Sequence, residues 1–319
     1  MITSIQQLPI TWVIADLVSF ILFMCCIVHV IKSEKQVIPK IFMLFAFLIY
    51  SGIFENIGHA YGFHPYSPYR LLRTVNMGLG TSMMEVSLFY SAYVLVGNLQ
   101  MPRLLKPFAI AFLASFADFA IDPVMHWDAY MIDGERHTQW IWSPAYADTF
   151  FGVPFYNFSG WIYFMLWFSI SVYIAEWLYE KKYKSSKTFG YIYPWLLPIS
   201  SIFLMILPSS QILLYGQFND PPVDGAPMIR SERIPELIML SIHCLIGLFI
   251  IVKYSKTIPS FNVKVDRIGF IIPMVFNMLY VIIGFARGLT EAYIPMIITT
   301  ILHGLYLTYI YRQNSQNKA

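Results

Sequence analysis

Asp118 and Asp122 stand four residues apart, and the stretch after them runs through Trp127, Trp140 and Trp142 to Gly152, Pro154, Tyr156, Asn157, Gly160 and Trp161. One helical turn apart, the two carboxyl groups line one face of a helix. Two carboxylates held close do not both ionise easily, and a carboxylic acid kept neutral in an apolar pocket can donate a proton. Indole and phenol faces beside such an acid stabilise a passing cation, and Asn157 offers a donor and an acceptor for holding water or a hydroxyl. Proton donation beside a cation-stabilising wall is the chemistry these residue types suit. Plainer roles exist too: Asp122, just before Pro123, is placed to end its helix and cap the loop, and Asn157 to cap the next helix.

Glu55 and His59 are also four residues apart. Glu85 lies about three turns into the third apolar segment, where it serves either the same site or a structural hydrogen bond to a neighbouring helix. Sorted by depth, Asp16, Glu55, Glu85, Asp118, Asp122, Glu236 and Glu291 all fall toward one side, at helix ends or turns. Several of them are expected to point into one shared cavity, while Asp16, Glu236 and Glu291 can instead reach the headgroup zone. Glu34, Glu176, Glu180 and Asp266 mark the opposite boundary, beside basic residues.

Other chemistries fit less well. His59 and His64 raise the question of metal, but the paired HxxxH and HxxHH boxes of membrane di-iron enzymes are absent. His243 and His303 stand alone in their segments, so no metal is expected. Two acids four apart, without further clustered aspartates or a partnering Lys, make a poor magnesium-diphosphate site. No Walker loop, dinucleotide glycine motif or nucleophile elbow occurs in a plausible context, and no soluble cofactor is expected.

These residues need a scaffold that holds them at one membrane depth. Of 319 residues, 57% are hydrophobic and 12% charged, with a mean hydropathy of +0.59. Runs of about 20 apolar residues cross a bilayer as helices. Nine qualify, with eight as the alternative count: Leu8 to Ile31, Ile38 to Ala60, Asn76 to Asn98, Leu105 to Ile121, Pro154 to Leu178, Tyr191 to Tyr215, Ile234 to Val252, Ile268 to Ala286 and Ala292 to Tyr311. The first has no Lys or Arg ahead of it and is longer than the roughly 7 to 15 residues of a signal-peptide core, so it reads as a retained helix.

With nine alternating spans, 15 of the 21 Lys and Arg residues, including every Lys, fall on one side and 6 on the other. Cytoplasmic loops retain basic residues, which predicts an outside N-terminus and a cytoplasmic C-terminus. The net charge of +3 then reflects anchoring at the bilayer surface, with no nucleic-acid partner. Cys25, Cys26 and Cys244 all lie inside spans, so no disulfide framework is implied. The expected fold is all-α, a polytopic membrane helical bundle forming a single domain over residues 1–319. Two long connections, Asp122 to Gly152 and Gly216 to Arg233, fall on the outer side. The first is rich in Trp and Tyr and is expected to fold back over the bundle mouth.

Over about residues 50 to 170 the chain resembles the carotenoid biosynthesis proteins that include the hydratases of gamma-carotene and of bisanhydrobacterioruberin. The matching elements, in the family's order, are Phe54-Glu55 with Gly58 and Gly62, Asp118 through Asp122-Pro123-Val124, Trp140 and Trp142, and Gly152-Val153-Pro154 through Asn157-Phe158 to Gly160-Trp161. Family members usually carry Gly-x-Pro-Phe-Gly-x-Tyr after the second helix. Here Gly62-Phe63-His64-Pro65-Tyr66-Ser67-Pro68-Tyr69 lacks the second glycine, which bears on substrate identity more than on reaction class.

The resemblance implies cofactor-free addition of water to a terminal carbon–carbon double bond of a polyene. It implies Asp118 or Asp122 as proton donor, Glu85 and Glu55 sharing that proton or orienting water, and Asn157 helping to bind the water. Trp140, Trp142 and Trp161, with Tyr156 and His59, would line the end-group pocket. A carotenoid or other long isoprenoid would enter from the bilayer of a prokaryotic plasma membrane, with other carotenoid-pathway enzymes as partners. An isomerase or cyclase would use the same acids and aromatic wall. A carotenoid or lipid binder, or a transporter, is the non-enzymatic alternative, although no pair of matching broken helices marks two transporter halves.

Overall fold

In lipid a backbone satisfies its own N–H and C=O groups only by coiling into helices or closing a barrel, and the apolar runs of this chain coil. The structure, a computed structural model, describes residues 8–60, 65–140, 142, 149–183, 186–207, 233–256 and 266–316. Gly62, His64 and the connection from Gly216 to residue 232 lie outside the described residues, as does the side chain of Glu236. The helices are α1 (Ile10–Ser33), α2 (Val37–Ala60), α3 (Leu79–Gly97), α4 (Lys106–Phe116), α5 (Asp118–Trp127), α6 (Phe155–Lys181), α7 (Lys187–Ile206), α8 (Arg233–Lys253), α9 (Ile268–Arg287) and α10 (Tyr293–Gln316).

Among the described residues eight helical spans are long and apolar enough to cross a membrane: α1, α2, α3, the stretch Arg103–Trp127 holding α4 and α5, α6, α7, α9 and α10. In α8 the apolar stretch is the shorter Leu240–Lys253. The protein is an all-helical integral membrane protein. Its axis is α3, 94% of whose apolar window is buried, against 33% for α7 and α10. α1, α2, α4 and α9 all pack on α3. Ser82, Glu85, Ser87 and Ser91 sit inside this central helix, which is where a bundle places the polar groups it keeps from lipid. Ile14, Leu17 and Ile21 on α1, and Ile298 and Leu305 on α10, face outward as lipid-contacting surface.

The fourth span departs from its expected form. The helix breaks at Ala117, and α5 starts at Asp118 and continues through Pro123 to Trp127. Asp122 therefore neither ends a helix nor caps a loop. A proline inside the helix removes one backbone hydrogen bond, and packing against α9 and α10 holds α5 in place.

The described parts of the Trp-rich connection form two short hairpins, β1 (Tyr130–Ile132) with β2 (Glu135–His137) and β3 (Thr149–Phe150) with β4 (Val153–Pro154). Both turn on two residues of positive φ, Asp133-Gly134 and Phe151-Gly152, as two-residue hairpin loops require. Thr11 on α1 donates to Asp128. Arg287 on α9 donates from Nε to Asp128 at 2.8 Å and from Nη2 to the Ala129 carbonyl at 2.8 Å. Its guanidinium lies 4.1 Å from the Tyr130 ring centre. The start of the connection is thus tied to α1 and α9.

Gly152, at φ +93°, has no room for a side chain, because an added Cβ would lie 2.5 Å from His126 Cδ2. Gly152→Ala is expected to cost about 1–3 kcal/mol, read as a lowered midpoint of thermal unfolding in detergent. An unchanged midpoint would show that this turn does not anchor the connection.

Candidate active site

Three helices deliver four carboxyl groups to the bundle interior. Glu55 comes from α2, Glu85 from α3, and Asp118 and Asp122 from α5, with exposures of 5%, 1%, 0% and 1%. Asn157, in the first turn of α6, ties the last two together: its amide nitrogen donates to Asp118 Oδ2 at 3.0 Å and also to Asp122 Oδ2. Asn157 is therefore no helix cap, and no side-chain cap closes the start of α6. Glu55 and Glu85 lie in the same buried interior, and a carboxyl group there can donate a hydrogen only when protonated.

Residues absent from the sequence reading complete the network. The Ser51 hydroxyl donates to Glu85 Oε2 and lies 2.7 Å from Ser82 Oγ. Ser51 precedes Glu55 by four residues and Ser82 precedes Glu85 by three, spacings that put each serine on its acid's face. Tyr66 donates its phenol proton to Glu55 Oε2. Burial first, then the neighbouring Glu55 and Glu85, pushes that phenol well above the usual tyrosine range, so it stays a donor. Tyr66→Phe is expected to lower stability by about 1–3 kcal/mol, the range for a hydrogen bond to a buried acid. The shift in thermal unfolding midpoint measures it, and no shift would place Tyr66 outside the network.

The aromatic predictions divide. Trp140 is buried and meets the Tyr66 ring edge-on at 5.9 Å, and Trp142 meets Tyr156 edge-on at 5.9 Å. The first contact places Trp140 beside the hydrogen-bond partner of Glu55, and the second places Trp142 beside the residue preceding Asn157. Trp161 packs half-buried at the margin of the core, and no described hydrogen bond or ring contact joins it to the acids. His59 accepts the Tyr66 backbone N–H at Nδ1 at 3.0 Å and stacks its ring on Tyr66 at 6.3 Å, which holds the segment that carries the Glu55 partner. Two rings that the sequence did not single out are also fully buried in the core: Tyr50, whose hydroxyl donates to the Phe164 carbonyl at 3.2 Å, and Tyr280, which lines one crevice with Asp16, Arg70 and Trp140.

Asp16 faces neither headgroups nor the four acids' hydrogen bonds. It pairs with Arg70 Nη2 at 2.5 Å, both side chains buried. Asp16, Arg70, Gln139, Trp140 and Tyr280 enclose a polar crevice with no room for a water-sized sphere. Glu291 stays exposed beside Thr290. At the opposite boundary Glu176 pairs with Lys40 and Glu180 with Arg103 at 3.1 Å, matching the basic neighbours of those acids. Among the described residues no group of three or more His, Cys, Asp or Glu side chains is arranged to hold a metal ion.

The fold and site define a class: an integral membrane helical bundle whose core buries four carboxyl groups hydrogen-bonded to Asn157, Ser51 and Tyr66. No protein family, curated protein or solved structure matches this chain.

Proposed function

We propose that the protein is a cofactor-free carotenoid hydratase, adding water across the terminal double bond of an acyclic end group. The observation that carries this reading is the buried Asp118–Asp122 pair, held together by the Asn157 amide in an apolar, aromatic interior. A carboxyl proton of the pair adds to the less substituted alkene carbon, and a tertiary cation forms against the faces of Tyr50, Tyr280, Trp140 and Trp142. Water oriented by the Glu55–Glu85 pair attacks that cation through its oxygen. The resulting oxonium returns a proton to the carboxylate left behind, so one alkene and one water give one tertiary alcohol and the acid is restored. The site needs no charged handle on the substrate, in keeping with a polyene that arrives sideways from the bilayer.

In the same reading α8 is a ninth crossing, the N-terminus is outside, the C-terminus is cytoplasmic, and the membrane is a prokaryotic plasma membrane. Enzymes that desaturate or elongate the polyene are its natural neighbours. Isomerisation or cyclisation of an isoprenoid remains the second reading, because the same acids and rings serve it.

Expression in bacteria that make lycopene, gamma-carotene or longer acyclic carotenoids separates these readings. A new carotenoid heavier by one water is the expected product. A product of unchanged mass and altered retention would move the assignment to isomerase or cyclase. No change in any strain, with the protein present in the membrane, would contradict hydration of these polyenes.

A further inference from the structure

A groove of about 600 Å³ opens between α1 and α9, at the end of the bundle away from the acids. Phe20, Met24 and Val28 of α1 and Ile271 of α9 line it, and all four are substantially exposed on the lipid-facing surface. Lys32 and Arg267 stand together at one end, and neither has an ion-pair partner among the described residues. Ser33 Oγ, beside them in the lining, is buried without a hydrogen-bond partner among the described residues. Glu34 and Asp266, their neighbours in sequence, are not among the lining residues.

The dimensions select the occupant. From Phe20 to Ser33 the lining covers about 20 Å of helix at 1.5 Å per residue. That is the depth of one leaflet, about 15 Å of hydrocarbon plus its interfacial layer. An apolar trough of leaflet depth, ending in two cations and a hydroxyl, matches an acyl chain joined to an anionic headgroup. Basic pockets between membrane helices bind such headgroups. A second copy of the chain fits poorly, because a two-fold contact presents the same patch from both sides and would bring Lys32 and Arg267 against their own equivalents. A neutral polyene would leave both cations unused.

We propose that this groove is a binding site for one anionic phospholipid, its phosphate between Lys32 and Arg267 and an acyl chain along α1 and α9. The site rests on the membrane fold alone and is independent of the hydratase reading.

Native mass spectrometry of the full chain in detergent, offered phosphatidylglycerol or phosphatidylcholine of identical chains, tests it. Two basic residues at a headgroup should favour phosphatidylglycerol by about 30-fold. The K32Q/R267Q variant should lose that preference, and V28W, which fills the trough, should retain neither lipid while unfolding at the wild-type temperature without lipid. Equal retention of the two lipids by the wild type would overturn the proposal, as would a preference that survives in K32Q/R267Q. Displacement of the lipid by glycerol 3-phosphate alone would show a free phosphate site. A dimer that forms as lipid is removed and is abolished in V28W would show a second copy as the occupant.

Discussion

Replacing Asp118 or Asp122 with Asn is expected to lower carotenoid turnover by about 10²–10⁴-fold in at least one case, the contribution typical of a positioned general acid. The substitution keeps the shape of the side chain and an oxygen for the Asn157 amide, while removing the group that can carry and give up a proton. Both residues are buried on one face of α5 and both accept from Asn157, so the surrounding helices lose little packing in either variant. Asp118 Oδ1 is buried with no hydrogen-bond partner among the described residues. Product formed per unit of membrane-embedded protein is the quantity to compare. Full activity in both variants, at equal protein levels, would remove the pair from the chemistry.

The second large effect concerns stability. Asp16→Ala is expected to destabilise the bundle by about 3–5 kcal/mol, because it strands a charged guanidinium in the interior. Arg70 and Asp16 are 2% and 6% exposed at the side chain, and Arg70 already leaves Nε and Nη1 without described partners. Little water is therefore available to compensate. The pair ties the segment after α2 to α1, beside Thr81 at the start of α3. Gly80 allows this approach, since a side chain there would run into Asp16. The double variant Asp16→Leu, Arg70→Met removes both charges and is expected to recover most of the loss, as apolar replacements of buried ion pairs do. A thermal unfolding midpoint unmoved by Asp16→Ala would show that the pair contributes nothing to the fold.

Hydrophobic run length reveals most of the helices, because a lipid-embedded backbone has few alternatives to coiling. The clustering of acids toward one side was also legible, since charge is rare in this chain and its positions stand out. Helix α5 was not: Asp122-Pro123 reads as a stop, yet a proline costs a buried helix one hydrogen bond, and tertiary packing outweighs that local signal. Ser51 and Ser82 were overlooked because serines are common in membrane helices. Their offsets from Glu55 and Glu85 were the available signal.

Tyr66 and Arg70 come from a connection between helices, where run length and periodicity say nothing about which side chains turn inward. The hairpin over Tyr130–His137 carried a readable sign in Asp133-Gly134, a pair that favours two-residue turns. Its strands of three residues are too short to show alternation. Trp161 shows what helix periodicity leaves open. Position i+4 from Asn157 puts it near the same helix face, but α6 packs against α4, α7 and α8, and this ring falls at the margin of the core.

The most direct test of the hydration chemistry is the origin of the added oxygen. Membranes holding the protein and an acyclic carotenoid are incubated in oxygen-18 water and the product is weighed by mass spectrometry. Acid-initiated hydration predicts one added water mass carrying the heavy oxygen, lost in whichever of Asp118→Asn and Asp122→Asn is inactive. A product with unlabelled oxygen, or one of unchanged mass, would contradict it.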